Sequence, residues 1–270
     1  MAIITISRGS YSRGKEVAEK VAARLGYRCL SREVLLDASD RYHISEIKLI
    51  KAIHDAPSIL ERLGRGKQAF IAYYQSALAG AVQKDNVVYH GLAGHLLLKG
   101  IPHVLKVRII ADLADRVTNE MKREGIGEQE ARALIIRDDQ ERRNWTRSLY
   151  GADPWDSSLY DLVIHIHKFT VSDGVDIICR AAALEQFRAT RESRQKMDDL
   201  ALASRIKAAL VDISIDVAVL SEYGNVFIYT KPDDRLLRRL EEKLGTLERE
   251  IEGIHHIEFH PGVPVPLNAI

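Results

Sequence analysis

The chain has 270 residues, of which 46% are hydrophobic and 29% are charged, and these values are ordinary for a folded globular protein. Its 39 basic and 38 acidic residues give a formal net charge of +1, so no electrostatic footprint indicates binding to nucleic acid or to an anionic membrane. The length is sufficient for one large α/β domain and a small second one.

The cysteines and the hydropathy pattern predict a cytoplasmic protein. Cys29 and Cys179 lie among apolar neighbours, which is typical of buried thiols in a reducing compartment rather than of a disulfide framework. The first residues show neither the basic segment nor the long apolar segment of a secretory signal. No apolar run approaches the roughly 20 residues that a membrane-spanning helix needs, so we expect no transmembrane segment.

Strands and helices alternate over the first two thirds of the chain. Short β-branched or apolar runs predict five strands, at residues 2–7, 27–30, 86–89, 103–110 and 161–166. Helical patterns fill the intervals, at residues 14–25, 32–83 (with breaks near Pro57 and at 64–66), 112–149 and 172–189. This alternation predicts an α/β fold with a parallel five-stranded sheet and helices on both faces.

The pattern changes after a polar segment, residues 186–198, which we interpret as a linker. A helix, two strands joined by a hairpin at 222–225, a second helix and a last strand are expected at residues 200–211, 215–220, 226–230, 233–250 and 254–259. This α-β-β-α-β order predicts a separate small domain over residues 199–262. The proline-containing residues 263–270 are expected to form an extended tail.

The clearest motif is the G-x-x-x-x-G-K sequence from Gly9 to Lys15. It follows an apolar strand and opens an amphipathic helix, as a phosphate-binding loop must. Its glycines let the backbone wrap around phosphate oxygens, and its N–H groups and the helix N-terminus point at the anion. The motif therefore predicts a phosphate site made by Gly9, Ser10, Ser12, Arg13, Gly14, Lys15 and Glu16; the alternative is a glycine-containing turn without a ligand.

Glu16 is a departure from the general loop motif. A Ser or Thr hydroxyl usually follows the lysine and binds Mg²⁺. A carboxylate cannot replace that hydroxyl beside phosphates without repulsion. We therefore expect no metal ligand in the chain itself, and Mg²⁺ would be held in another way.

Several segments, in this order, resemble the cytidylate kinase-like family. The likeness extends over roughly residues 1–185 and is carried by residues 3–9, 14–18, 107–111, 137–143 and 160–164. It implies a nucleoside monophosphate kinase fold with strand order 2-3-1-4-5, and ATP- and Mg²⁺-dependent phosphorylation of CMP, dCMP or a related nucleotide. It also implies catalytic roles for Lys15 and for an arginine-rich lid, Arg137, Arg142 and Arg143, with Arg147 next.

Two alternatives remain open at this point. The lid arginines alternate with Asp138, Asp139 and Glu141, and charge pattern alone would equally describe a solvated helix face. Family members that bind CMP usually carry a Gly-Arg pair after the third strand, where this chain has Gly91 and Leu92. The acceptor-binding cation is therefore missing, which favours a second hypothesis, a nucleotide-binding regulator without catalysis.

We expect the acceptor nucleotide near His90, Gly91 and Arg108. His90 and His95 flank a turn at the carboxyl end of a strand, the edge at which ligands bind in open α/β sheets; loop histidines with satisfied hydrogen bonds and no ligand are the alternative. His165 and His167 share one strand face, and a single strand supplies too few ligands for a metal.

The last part of the chain, from about residue 196 to 260, resembles the BON domain in element order and in its hairpin. The resemblance implies a regulatory or oligomerisation module, so homo-oligomerisation through this domain is the partner expectation besides nucleotides. A stability appendage without a ligand is the alternative.

Overall fold

A computed structural model describes residues 2–31, 33–42 and 66–270. The predicted helix breaks near Pro57 and at 64–65 lie outside the described residues. Contacts group the described residues into two compact units. The first contains residues 2–34 and 84–189, and the second contains residues 35–42, 66–83 and 190–270.

The first unit is built on a five-stranded parallel sheet. Its strands are β1 (Ile3–Arg8), β2 (Arg28–Leu30), β3 (Val87–Tyr89), β4 (Val104–Ala111) and β5 (Leu162–Ile166). Their order is β2-β3-β1-β4-β5, which confirms the predicted fold class and strand order. In the central strand β1, Ile4 pairs with Val88 on one side and with Leu105 on the other. The end of β1 is therefore fixed from both sides.

Helices cover this sheet and extend from it. They are α1 (Gly14–Leu25), α2 (Glu33–Tyr42, which enters the second unit), α4 (Gly94–Leu97), α5 (Leu113–Glu124), α6 (Glu128–Tyr150) and α7 (Val171–Ala182). Apolar faces of α1 and α7 bury Val17, Val21, Val175 and Ile178 against the sheet. The charged segment predicted as helical at 112–149 forms two helices, because Gly125 takes a φ of 68° and ends α5.

The second unit has its own sheet and core. Its elements are α3 (Gly66–Val82), α8 (Arg191–Leu210), β6 (Ala218–Glu222), β7 (Asn225–Thr230), α9 (Asp234–Glu250) and β8 (His256–Pro261). β7 lies between an antiparallel β6 and a parallel β8. Leu240, Leu244 and Leu247 of α9 pack with Val219 and Ile228, so the apolar face of α9 belongs to this core.

The compact units differ from the contiguous domains predicted from the sequence. α8 begins at Arg191, inside the expected linker 186–198, because Thr190 and Ser193 form a reciprocal capping box there. α3 belongs to the second unit, since its Ala72 and Tyr73 pack against Ala208 and Val211 of α8. The expected tail also joins the sheet: Ile270 exchanges two backbone hydrogen bonds with Val219 of β6, at 2.9 and 3.0 Å.

The β6–β7 hairpin provides a test of the second unit. Gly224 has a φ of 80°, and a Cβ atom there would lie 2.6 Å from the carbonyl oxygen of Gly253. Gly253 also has a positive φ, 94°, but nothing lies within 4 Å of the corresponding position. We expect Gly224→Ala to lower the free energy of unfolding by about 2–4 kcal/mol, and Gly253→Ala by about 1 kcal/mol. Urea unfolding of both variants checks this, and equal losses would contradict it.

Candidate phosphate-binding site

The Gly9–Lys15 loop connects β1 to α1 and is anchored to β4. The Gly9 N–H donates to the Ile109 carbonyl oxygen at 3.1 Å, and the Ser12 hydroxyl donates to the same oxygen at 3.1 Å and to the Gly9 carbonyl oxygen at 2.9 Å. A Cβ atom on Gly14 would lie 2.7 Å from the Arg8 Cβ, so this position requires glycine. The loop is therefore held in one place at the carboxyl edge of the sheet, as the motif predicts.

Residues Ser10 to Arg13 show the features of an anion-binding loop. Tyr11 and Arg13 take left-handed φ values of 60° and 62°. The Ser10 side chain is 2% exposed, and its hydroxyl oxygen has no hydrogen-bond partner among the described residues. The Ser10 N–H, in contrast, donates to Asp139 Oδ1 of α6 at 2.8 Å. A backbone N–H of the loop thus already binds a negatively charged oxygen.

Lys15 and Glu16 lie on the exposed part of α1. Lys15 Nζ is 3.7 Å from Glu19 Oε1, and the lysine side chain is 65% exposed. The Glu16 carboxylate pairs with Arg13 at 2.8 Å and with Lys20 at 2.8 Å. These two cations lower the pKa of Glu16, with the hydrogen bond from Lys20 the largest cause.

Arg8, at the end of β1, is the principal cation beside the loop. No hydrogen bond or ion pair joins its guanidinium to another residue within the described ranges. Burial lowers its pKa to about 10, and the nearby charge of Arg142 acts in the same direction, while Glu19 opposes both. The charge of Arg142, from a distant part of the sequence, therefore acts on Arg8 beside the loop, which favours binding of an anion.

The other lid arginines are held differently. Arg143 makes a bidentate ion pair with Asp153, with a shortest distance of 2.6 Å, and its guanidinium lies 4.0 Å from the centroid of the Trp155 ring. Arg147 also pairs with Asp153, at 2.5 Å. The side chain of Arg137 is 65% exposed and has only long contacts to Asp138 and Glu141, at 3.6 and 3.8 Å. Of the three predicted catalytic arginines, only Arg142 thus acts electrostatically on Arg8.

The predicted acceptor residues fall into two neighbourhoods. Gly91 packs closely against the Tyr89 ring, and a Cβ atom on Gly91 would lie 2.2 Å from the Tyr89 hydroxyl oxygen. His90 is buried, and its pKa is lowered to about 4 by burial and then by the charge of Arg8. His90 therefore lies with the loop cations, whereas close packing on Tyr89 is the structural reason for glycine at 91.

Arg108 belongs to a buried polar cluster under the loop. Its guanidinium donates to Ser7 Oγ at 3.2 Å and to the Tyr160 hydroxyl at 3.5 Å. The Tyr160 hydroxyl also donates to the Pro154 carbonyl oxygen at 3.0 Å and lies 3.3 Å from His95 Nε2. Burial lowers the pKa of His95 to about 4, and Arg108 adds to this effect. The cluster supports the strand end that carries Arg8.

Two other histidines, His165 in β5 and His167 just after it, lie beside carboxylates. His165 and His167 pair with Asp112 at 3.0 and 3.1 Å, and His167 also lies 3.2 Å from Asp115. The sequence analysis did not anticipate these carboxylates; all four side chains are about half exposed, and we assign no metal role to them.

Sequence analysis did not identify Arg8 and Arg116 as members of the site. Arg116 of α5 donates to the Ser10 carbonyl oxygen at 3.0 Å and pairs with Asp139 at 2.6 Å. The only available signal for Arg8 was its position directly before Gly9. No local sequence signal marks Arg116, because Arg116 is separated from the loop by more than 100 residues in sequence and approaches the loop only in the folded chain.

The chemistry of the donor set fits phosphate but not a conventional Mg²⁺ site. The orphaned buried hydroxyl of Ser10 and the cations Arg8 and Arg142 match an anionic group. The position after Lys15 offers no hydroxyl, and the Glu16 carboxylate is engaged by two cations. Any Mg²⁺ would therefore be bound by the phosphates of a nucleotide rather than through this residue.

The sheet order and this loop define a P-loop kinase-like α/β domain. A family model described as the cytidylate kinase-like family matches residues 3–168, which is more than half of the chain. The protein belongs to the cytidylate kinase-like family.

Individual relatives agree with this assignment over part of their length. The cytidylate kinase of Methanosarcina acetivorans is 36% identical over 97 residues, which cover 36% of this chain and 53% of that protein. The cytidylate kinase of Thermococcus kodakarensis is 34% identical over 102 residues, which cover 38% and 51%. The chain thus spans about half the length of the curated relatives it matches.

A solved structure of an uncharacterized protein from Eubacterium ventriosum matches the fold with a TM-score of 0.52 and 21% identity. The match covers 67% of this chain and 98% of that one. Among the described residues, no helix is both long and apolar enough to cross a membrane.

Two of the buried histidines, His90 and His95, predict acid sensitivity. Because the pKa values of His90 and His95 are about 4 in the folded state and about 6.5 when unfolded, the unfolded state binds more protons between these limits. Stability is therefore lost as the pH falls from about 6.5 to about 4, by about 1–2 kcal/mol per histidine at pH 5.

Urea unfolding at pH 7 and pH 5 measures this loss. We expect His90→Gln and His95→Gln to reduce it, whereas His256→Gln, at an exposed position, should leave it unchanged. An unchanged pH dependence in both buried-site variants would contradict the assignment.

Proposed function

We propose that this protein is a nucleotide kinase-like phosphotransferase that transfers the terminal phosphoryl group of ATP to a nucleoside monophosphate of the CMP or dCMP type. Family membership and the geometry of the Gly9–Lys15 loop support the proposal. The observation that carries it is Arg8, whose guanidinium lies partly buried beside that loop, near Arg142 and without an ion-pair partner among the described residues.

The loop residues would hold the donor. Backbone N–H groups of the Gly9–Lys15 loop, apart from those of Gly9 and Ser12 that donate to backbone carbonyls, and the N-terminus of α1 would bind the ATP phosphates, with Mg²⁺ as the partner of ATP. Lys15 is long enough and exposed enough to turn from Glu19 toward the terminal phosphates. Phosphoryl transfer requires mainly positioning and charge neutralisation, which backbone donors and cations supply.

In the reaction, a phosphate oxygen of the acceptor attacks the γ-phosphorus of ATP. The bond from this phosphorus to the β,γ-bridging oxygen breaks, and ADP leaves with that oxygen. Arg142 would neutralise the charge that develops on the transferring group. Arg137 is exposed and can join it, whereas Arg143 would first have to leave Asp153.

On the acceptor side, we propose that Arg8 replaces the cation missing at Gly91 and Leu92. The charge of Arg8 acts on His90, which is one of the expected acceptor residues at the end of β3. Arg108 would act through the Ser7–Tyr160 cluster that supports this strand end, rather than by contact with the acceptor.

A nucleotide-binding regulator without catalysis is the second candidate. Two observations favour it: the ion pairs of Glu16, which leave no Mg²⁺ ligand after Lys15, and the engagement of Arg143 by Asp153. Both candidates share the phosphate loop and would operate in the cytoplasm, where ATP is available. They differ only in whether phosphoryl transfer follows binding.

For the second unit we propose a BON-like regulatory or oligomerisation role, which its α-β-β-α-β order supports. Deleting residues 190–270 would remove the packing partner of α3, so point substitutions on the exposed surface of α9 are a better test than truncation. Exposed Arg238 and Glu242 are suitable positions.

The assay follows ADP formation from ATP and Mg²⁺ with a panel of nucleoside monophosphates. We expect Lys15→Ala to abolish transfer, and Arg8→Gln to raise the KM for the acceptor roughly tenfold, since one charge-assisted contact is lost. Arg132→Gln, which removes an exposed arginine of α6, is the matched control and should behave as wild type.

Two outcomes would contradict parts of this account. ATP binding without transfer to any acceptor would exclude the kinase and leave the regulator. Equal acceptor KM values for Arg8→Gln and Arg132→Gln would remove Arg8 from the acceptor site.

A further inference from the structure

The Gly9–Lys15 loop is already in contact with a negatively charged oxygen, and the oxygen comes from the chain itself. The Ser10 N–H donates to Asp139 Oδ1 at 2.8 Å, a distance typical of a charge-assisted hydrogen bond. The Asp139 side chain is only 17% exposed, so water competes weakly for it. In this conformation the carboxylate binds the loop as a phosphate oxygen would.

Arg116 fixes the carboxylate in this position. Its Nη1 atom lies 2.6 Å from Asp139 Oδ2 and 3.0 Å from the Ser10 carbonyl oxygen. The same nitrogen would lie 3.6 Å from a Cβ atom on Gly9, so the guanidinium rests against the first glycine of the loop. Loop, carboxylate and guanidinium therefore form one network, in which the Asp139 carboxylate and Arg116 Nη1 each contact two groups.

A second contact joins the helices α5 and α6 to the loop one residue further along. The Tyr11 hydroxyl donates to Asp138 Oδ2 at 2.7 Å, and the Arg123 guanidinium lies 4.7 Å from the Tyr11 ring centroid. The Tyr11 ring packs with Val117 and Ile135 in a small apolar cluster. The helix pair is thus docked on the loop by three hydrogen bonds and an apolar contact, and the Arg116–Asp139 ion pair joins the two helices to each other.

We propose that Asp139 is an internal anion that competes with nucleotide phosphate for the loop, so that nucleotide binding is coupled to a rearrangement of the α5–α6 helix pair. The inference rests on the proposed function, since it requires that phosphate binds at Gly9–Lys15. One N–H cannot serve a carboxylate and a phosphate together, and two negative groups at this distance repel. The apparent affinity is then reduced by the fraction of molecules in which Asp139 remains docked.

A purely structural role for Asp139 predicts the opposite result. If the carboxylate only shapes the loop, its removal should weaken phosphate binding or leave it unchanged. If it competes, its neutralisation should strengthen phosphate binding. The sign of the change in affinity therefore separates the two roles.

The test measures the dissociation constants of ATP and of inorganic tripolyphosphate by calorimetry for the full chain. We expect Asp139→Asn, which preserves shape but removes the charge, to bind both ligands roughly 5- to 10-fold more tightly than wild type. Glu130→Gln is the matched control, because it neutralises an exposed carboxylate of α6 that is not among the contacts docking this helix on the loop. Its affinity should change less than about twofold.

The outcomes separate this inference from the proposed function. If Lys15→Ala weakens binding but Asp139→Asn does not tighten it, the competition is absent while the phosphate site stands. If wild type, Lys15→Ala and Asp139→Asn all fail to bind either ligand, the proposed function and the inference fail together.

Hydrogen exchange of the wild-type protein gives a second readout that needs no variant. We expect ATP to increase exchange in residues 113–150, because the contacts that dock these helices on the loop are broken, while it protects residues 9–17. Protection of both segments on ATP binding would overturn the coupling, even if Asp139→Asn failed to fold.

Discussion

The structure depends on the position of β1 at the centre of its sheet. Hydrogen bonding to β3 and β4 on its two sides fixes the strand, and two bonds to the Ile109 carbonyl oxygen fix the loop that follows it. The loop therefore cannot shift when a ligand arrives. A preorganised set of backbone donors is what anion binding requires, since the loop backbone itself then needs no reorganisation.

Charge around this loop is arranged in two opposing groups. Arg8 and Arg142 form a cationic group beside it, next to the buried and neutral His90. Asp138 and Asp139 of α6 approach the loop with negative charge, and Arg116 neutralises only one of them. The helix α6 thus supplies both Arg142, a cation that suits a phosphoryl group, and two carboxylates that repel such a group. A ligand that rearranges this helix would move the carboxylates away from the loop and leave the arginines beside it.

Local signals in the sequence predicted much of the fold. The strand before Gly9, the helix after Lys15 and the hairpin at Tyr223–Gly224 each depend on neighbouring residues, and all three are confirmed. The start of α8 was missed although Thr190 and Ser193 carried the signal, because the charged residues that follow resemble a linker. Arg116 and Asp139 could not be placed, since the contact of Asp139 with Ser10 joins residues 129 positions apart.

The most direct test of the account is whether the loop itself binds nucleotide. Backbone amide chemical shifts of the ¹⁵N-labelled protein, recorded while ATP and Mg²⁺ are added, report this residue by residue. The account predicts the largest changes at the amides of Gly9, Ser10, Gly14 and Lys15, with smaller ones at His90. Changes confined to the second unit, or an undisturbed loop at saturating ATP, would contradict it.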